Sequence, residues 1–268
     1  MLPEKKDVHD FWEPAACGED LYLRGVGRDG YTDQARTRYE LEPYIEPFAD
    51  LTAWGGKRVL EIGVGLGADH QRFAAAGARL SGIDLTESAV ALTRRRLELF
   101  GLESELAVGD AENLSFPDAT FDLVYSWGVI HHSPDTVRAI AEIHRVLRVG
   151  GSARVMIYHK WSLVGYMLWA RYALARLRPW VTLTDVYARY LESPGTKAYS
   201  IDEARRLFTR FTSVRVHTVL THADLLESAA GQRHRSALLS MARSVWPRAI
   251  LRRIARGQGL FMLIDAIK

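Results

Sequence analysis

Short apolar runs alternate through the middle of this chain with stretches in which apolar residues recur every three or four positions. The pattern predicts strands near 58–63, 79–84, 104–109, 121–127 and 152–158 and helices over 67–77, 87–100 and 135–147. Such alternation is the signature of βαβ units and a mostly parallel sheet. The first fifty residues carry no strand signal, and Tyr39, Leu41, Tyr44, Ile45 and Phe48 suit one or two helices ahead of the sheet. Residues 160–200 break the alternation. There Leu163, Met167, Ala170, Leu174 and Leu177 recur at helical spacing among many aromatics, and 193–200 reads as a loop. Ser200 with Glu203 three residues on predicts a capped helix start, and 213–220 and 259–267 read as two closing strands.

The glycines mark where chemistry enters. The run 59–62 leads into Gly63, Gly65 and Gly67 ahead of a helical stretch. A buried strand feeding such a turn lets backbone approach a ligand that side chains would obstruct. Gly63, Gly65 and Ala68 also satisfy the relaxed dinucleotide fingerprint, so the turn alone leaves a nicotinamide cofactor open. Asp84 closes the second strand seventeen residues beyond Gly67. A carboxylate there can accept from both hydroxyls of a ribose, which fits an adenosine ligand of either kind. Further on come Gly109-Asp110-Ala111-Glu112, then the run 121–127 leading through Ser126 and Trp127 to His131-His132-Ser-Pro-Asp135, and then Arg148-Val-Gly-Gly151 before the next strand.

These blocks, in this order and spacing, resemble the class I S-adenosylmethionine-dependent methyltransferases. The resemblance covers about residues 56–160 and is nearest to the type 11 group, which includes the ubiquinone and menaquinone C-methyltransferases. It implies an α/β fold: a Rossmann-like, doubly wound, seven-stranded sheet, mostly parallel with the last strand antiparallel. Cap helices would occupy 1–55 and the methyltransferase domain 56–268, with a helical acceptor lid inserted at about 160–200 before strand six. It implies S-adenosylmethionine as cofactor and S-adenosylhomocysteine as product. Gly63, Gly65 and Gly67 would pass under the methionine part, Glu61 would orient its amino end, and the Ser126 carbonyl would help. Asp84 would hold the ribose diol and Leu85 would pack on the adenine, with Asp110 and the Ala111 N–H at its edge. Thr86 reads as a helix cap with no cofactor role. One of Tyr22, Tyr31 and Tyr39 is expected to reach the cofactor.

Methyl transfer asks the protein to align an acceptor and, for a hydroxyl or activated carbon, to remove its proton. His132, which aligns with the family's His-x-Pro-Asp pattern, is the first choice of base, and His131 the second. His159 ends strand five on the same sheet edge and is an alternative base, while Trp127, Tyr158 and Trp161 are candidate pocket walls. No metal is expected, since no acidic or cysteine partner stands near these histidines at ligand spacing.

Composition narrows the picture further. With 268 residues and an apolar fraction of 48%, one large α/β domain is expected. The lone Cys17 excludes an internal disulfide and any multi-thiol mechanism. With no apolar leader visible in the first ten residues, a cytoplasmic protein is expected. Residues 1–159 hold 17 Lys and Arg against 25 Asp and Glu, a net −8, and residues 160–268 hold 18 against 7, a net +11. A basic third can attract nucleic acid or an anionic membrane. No aromatic-plus-glycine RNA motif accompanies it, so a small-molecule acceptor is preferred to an RNA or tRNA. The aromatic insert points to an acceptor with a hydrophobic or aromatic body, and residues 161–180, with Arg171, Arg176 and Arg178, suit peripheral membrane contact. Oligomeric state is not legible.

Overall fold

The computed structural model describes residues 4–227, 244 and 246–268. Four helices come first: α1 (Lys5–Trp12), α2 (Glu19–Tyr22), α3 (Arg28–Leu41) and α4 (Ile45–Ala49). The sheet then builds through β1 (Arg58–Ile62), α5 (Ala68–Ala75), β2 (Arg79–Asp84), α6 (Glu87–Phe100), β3 (Glu105–Val108), β4 (Phe121–Trp127), α7 (Thr136–Val146) and β5 (Leu147–Tyr158). After it come α8 (Leu163–Tyr172), α9 (Leu183–Tyr190), α10 (Ile201–Leu207), β6 (Ser213–Val219), α11 (Arg248–Ile254) and β7 (Phe261–Ile267). Strand order is β3-β2-β1-β4-β5-β7-β6. Only β7 runs antiparallel to its neighbours β5 and β6, as expected for the last strand.

Apolar side chains are buried on both faces of the central strands. Leu60, Ile62 and Val124 pack with Ile140, Ile143 and Phe208 on one face. Val59, Leu123 and Tyr125 pack with Ile45 and Phe73 on the other. This is why the strands read as continuous apolar runs. A third cluster, including Met156, Tyr158, Leu168 and Tyr187, seats α8 and α9 on the sheet. Chain order reverses between β1 and β4, so their carboxyl ends open a crevice where such sheets bind ligands.

Three boundaries differ from the pattern. The stretch that carries Tyr39 to Phe48 forms α3 and α4 as expected, and α1 and α2 stand ahead of it where no helix was marked. β5 starts at Leu147 because its pairing with β4 begins at Phe121↔Leu147 and shifts register before resuming at Leu123↔Ser152. α8 ends at Tyr172, and the apolar spacing runs on through a 3-10 turn, Leu174–Arg176, which stops at Leu177, at φ 54° and two residues ahead of Pro179. A left-handed residue followed by an X-Pro step cannot continue a helix.

Candidate active site

A cavity of about 520 Å³ lies over the carboxyl ends of β1, β2 and β4 and continues beneath α8 to the start of β7. Its floor is the loop 63–67. Gly63 has φ 82°, and a Cβ there would come 2.1 Å from Val129 Cγ2. Gly65, at φ 50°, has no atom of the described residues within 4 Å of where its Cβ would be and lines the cavity, so bare backbone faces whatever binds there. Gly67 caps α5. Two side chains of α6 fix this loop from behind. Thr93 Oγ1 donates to the Gly65 carbonyl at 2.9 Å. Arg96, wholly buried, donates to Leu66 O at 2.9 Å, to Tyr31 O at 3.0 Å and to the side chains of Gln34 and Gln71. Burial lowers Arg96 to about 10, and it remains charged at neutral pH.

Asp84 ends β2 in the cavity wall. Its Oδ2 accepts from the Gly65 N–H at 3.0 Å and its Oδ1 from the Thr86 N–H and hydroxyl at 3.1 and 2.9 Å. Burial raises its pKa, and these donors oppose the rise. Thr86 also caps α6 through Ala89, as expected, and it orients the carboxylate as well. Leu85, Asp110 and Ala111 line the same end. Asp110 arrives already engaged: its Oδ2 accepts from Lys5 Nζ at 2.5 Å and its Oδ1 from the Glu112 N–H at 2.9 Å. Lys5 also meets Glu112 at 2.8 Å, so α1 crosses this end of the cleft. Lys5 therefore already occupies one oxygen of Asp110, a contact the sequence did not reveal.

Glu61 lines the other end of the loop, buried, with Oε2 2.9 Å from His70 Nδ1. Nearby, Asp69 accepts from Arg38 in bidentate fashion at 3.1 and 2.7 Å and from the hydroxyls of Tyr39 and Tyr125, each at 2.9 Å. Burial would raise the Asp69 carboxyl, but the Arg38 charge and these donors outweigh it and hold it below the usual range. Arg38 also faces Glu42 at 3.3 Å, and burial pushes Glu42 up to about 7. This group ties α3 to the cavity wall. Of the three early tyrosines Tyr22 lines the cavity, whereas Tyr31 packs on Arg96 and Tyr39 serves Asp69.

Beyond the loop the walls turn apolar. Trp127 and Tyr158 line this region with Met167, Leu168 and Phe261. His132 also reaches the cavity, with Nδ1 held at 2.8 Å from Ser193 Oγ and 3.0 Å from Thr196 Oγ1, and Nε2 3.2 Å from Glu192 Oε2. Tyr158 donates to the same Glu192 oxygen at 2.7 Å. Glu192, sixty residues from His132 and unmarked by any motif, was missed in the sequence. His131, His132 and Glu192 each offer one donor atom within 4.8 Å of the others, so the fold supplies the acidic partner that spacing along the chain lacked.

Four expected site residues are not in the cavity wall. Ser126 is an interior rung of β4, paired with Ile62 on one side and Val155 on the other, and Gly128 and Val129 take its place. His131 is fully buried between His132 and Tyr158, at ring distances of 4.2 and 4.0 Å, and among the described residues neither of its ring nitrogens has a hydrogen-bond partner. Burial holds it well below its ordinary pKa, which leaves it a poor second choice of base. His159 turns its Nδ1 to the Gly259 carbonyl at 3.2 Å, pinning the end of β5 to the approach to β7. Trp161 is 49% exposed and does not line the pocket. The wall expected of Trp161 comes instead from the inner face of α8. That helix sits close because Gly165 leaves room for the Tyr187 hydroxyl, 2.3 Å from where a Cβ would be.

The family model for the methyltransferase domain matches residues 60–155. A phosphatidylethanolamine N-methyltransferase of Cereibacter sphaeroides is 38% identical over 159 residues, covering 59% of this chain and 77% of the relative. The chain belongs to the class I S-adenosylmethionine-dependent methyltransferases. A phthiotriol/phenolphthiotriol dimycocerosates methyltransferase of Mycobacterium tuberculosis is 34% identical over 165 residues, 54% of this chain, and the chain spans 58% of that relative's length. Among solved structures, Haemonchus contortus phosphoethanolamine N-methyltransferase 2 in complex with S-adenosyl-L-methionine superposes with a TM-score of 0.61 over 99% of this chain and 60% of that one. At 20% identity that likeness is one of fold. A family that uses S-adenosylmethionine disposes of the nicotinamide alternative, and the bare backbone at Gly65, the Asp84 carboxylate and the buried Glu61 suit that cofactor's polar groups.

Proposed function

We propose that this methyltransferase acts on a small or medium-sized acceptor with a hydrophobic body. The observation that carries the reading is the continuity of the cavity, which joins the glycine loop and Asp84 to the apolar wall of Trp127, Tyr158, Leu168 and Phe261 without a partition. Acceptor and cofactor can therefore share one water-poor space, which is what in-line transfer requires. The lipid and phospholipid acceptors named for the relatives support an amphiphile.

When bound, S-adenosylmethionine supplies a methyl group on a cationic sulfur, a leaving group that needs no acid. Glu61 and the loop 63–67 hold the amino-acid part and Asp84 the ribose. Trp127, Tyr158 and Phe261 exclude water and orient the acceptor. His132 and Glu192 take the acceptor's proton as a pair. Both imidazole nitrogens of His132 already have partners, and a proton arriving on the shared Glu192 carboxylate is stabilised by the ring 3.2 Å away.

Radiolabelled methyl transfer to a panel of phenols, quinols, amines and lipid headgroups, followed by organic extraction, tests this. Label is expected in the organic phase. Label confined to added RNA would overturn the reading and revive the nucleic-acid alternative drawn from the basic C-terminal third.

A further inference from the structure

α8 and the segment that follows it have different surroundings. On the helix, Val164, Met167, Leu168 and Arg171 line the cavity. Past its C-terminal end, residues 174–180, Leu-Ala-Arg-Leu-Arg-Pro-Trp, are exposed without interruption. Leu177 is 82%, Trp180 73% and Leu174 51% exposed, and Tyr166 adds a ring at 40%. Connecting α8 to α9 does not call for large apolar side chains in water, and contiguous exposed apolar surface marks a contact site.

The charge on this surface has one sign. From 160 to 184 the chain holds Lys160, Arg171, Arg176 and Arg178 and no Asp or Glu. None of the three arginines makes an ion pair among the described residues. Arg171 and Arg176 lie over the Tyr172 ring at 5.4 and 5.1 Å, and that ring stacks on Tyr190 at 4.0 Å. Their guanidinium charges are thus held on the aromatic shelf with no carboxylate to neutralise them. Leucines and a tryptophan to enter an acyl boundary, with unpaired arginines beside them for phosphate, are the makeup of an interfacial anchor. A nucleic acid would leave Leu177 and Trp180 unused.

We propose that residues 174–180 form a docking surface for an anionic lipid bilayer, from which an amphiphilic acceptor passes beneath α8 into the cavity. This rests on the reading of that cavity as a site for an acceptor with a hydrophobic body. The segment continues directly from α8, whose Val164, Met167 and Leu168 line the cavity, so the docking surface adjoins the helix that walls the pocket.

Sedimentation of the full chain with phosphatidylcholine vesicles, with and without phosphatidylglycerol, at low and raised salt, tests the docking surface. Binding to the anionic vesicles, weakened by salt, is expected. Leu177→Ser with Trp180→Ser should weaken it by about tenfold or more through lost apolar burial. Arg176→Gln with Arg178→Gln should remove the preference for phosphatidylglycerol. Both double variants should bind S-adenosylhomocysteine like the parent, which shows them folded. Absence of vesicle binding by the parent, or a Leu177→Ser, Trp180→Ser variant that binds vesicles unchanged, overturns the docking surface. So does self-association through this face, lost on the same substitutions, without vesicle binding. Turnover on a detergent-dispersed acceptor is read separately. If it persists without vesicle binding, the cavity reading stands and the docking surface falls. If vesicles bind but no hydrophobic acceptor is methylated, the cavity reading fails.

Discussion

Glu61 Oε2 and His70 Nδ1 stand 2.9 Å apart in a buried chain whose other bonds fix where its proton lies. Ser104 donates to the Leu80 carbonyl at 2.8 Å, so its oxygen must accept from His70 Nε2, also at 2.8 Å. A neutral His70 protonated at Nε2 can only accept at Nδ1, and Glu61 must donate. The electrostatics agree: burial, then the charges of Asp69 and Asp84, raise Glu61 well above the carboxylate range. Burial pushes His70 down to about 3.

Cofactor binding should therefore release a proton. A ligand ammonium brought to Glu61 favours the carboxylate. Calorimetric titration with S-adenosylhomocysteine at neutral pH, in two buffers of different ionisation enthalpy, should give different apparent enthalpies. Equal enthalpies would mean that Glu61 is already ionised in the free protein. Glu61→Gln should weaken binding by about 10–100-fold, the range of a charge-assisted hydrogen bond.

Stability should depend on His70 in acid. Its folded pKa, about 3, lies below the unfolded 6.5, so the unfolded state binds the extra proton between these values. Its contribution is complete above pH 6.5 and declines as pH falls towards 3. By pH ~5 this amounts to roughly 2 kcal/mol. Urea unfolding of the parent and of His70→Gln, at about neutral pH and at pH ~5, should show their difference shrinking on acidification. A difference independent of pH would assign His70 a packing role only.

Turnover should depend on the His132–Glu192 pair, and cofactor affinity should not. His132→Ala and Glu192→Gln are each expected to lower kcat by about 10²–10⁴-fold while S-adenosylhomocysteine binds unchanged. Unchanged turnover in His132→Ala removes it from the mechanism. The same assay after exhaustive chelation should show no loss, in keeping with the expectation that no metal is used. Loss restored by added divalent ion would make His131, His132 and Glu192 a metal site instead.

Two glycines of one loop should fail in different ways. Gly65→Ala adds a methyl where no atom of the described residues stands within 4 Å, so folding suffers about 1–2 kcal/mol from the left-handed backbone while cofactor affinity falls further. Gly63→Ala drives its Cβ to 2.1 Å from Val129 and should lower the melting temperature more. Thermal shift and ligand titration on both variants distinguish the two effects. Equal melting temperatures would contradict the contact with Val129.

Local features carried most of this far. The strand positions, the glycine loop, Asp84 at the end of β2 and the Ser200–Glu203 capping box are written in runs of adjacent residues. The loop and Asp84 line the cavity. Each depends on backbone preference or on a period of two or 3.6, which a sequence displays directly. His159 and Trp161 failed as wall residues for the complementary reason. Position near a sheet edge is local, but the direction of a side chain depends on what packs around it. The Gly259 carbonyl claimed His159, and solvent claimed Trp161.

The sequence by itself therefore determined the sheet, the glycine loop and the family, because these follow from near neighbours along the chain. Only the tertiary structure decided that Glu192 meets His132, that Lys5 reaches Asp110 and that Arg38 clamps Asp69. It also decided that α8 lines an apolar cavity and leads into an exposed basic and apolar segment, 174–180. These pairs lie 60, 105 and 31 residues apart. Charge complementarity alone does not select among the 32 acidic residues of the chain, and burial in one packed arrangement does.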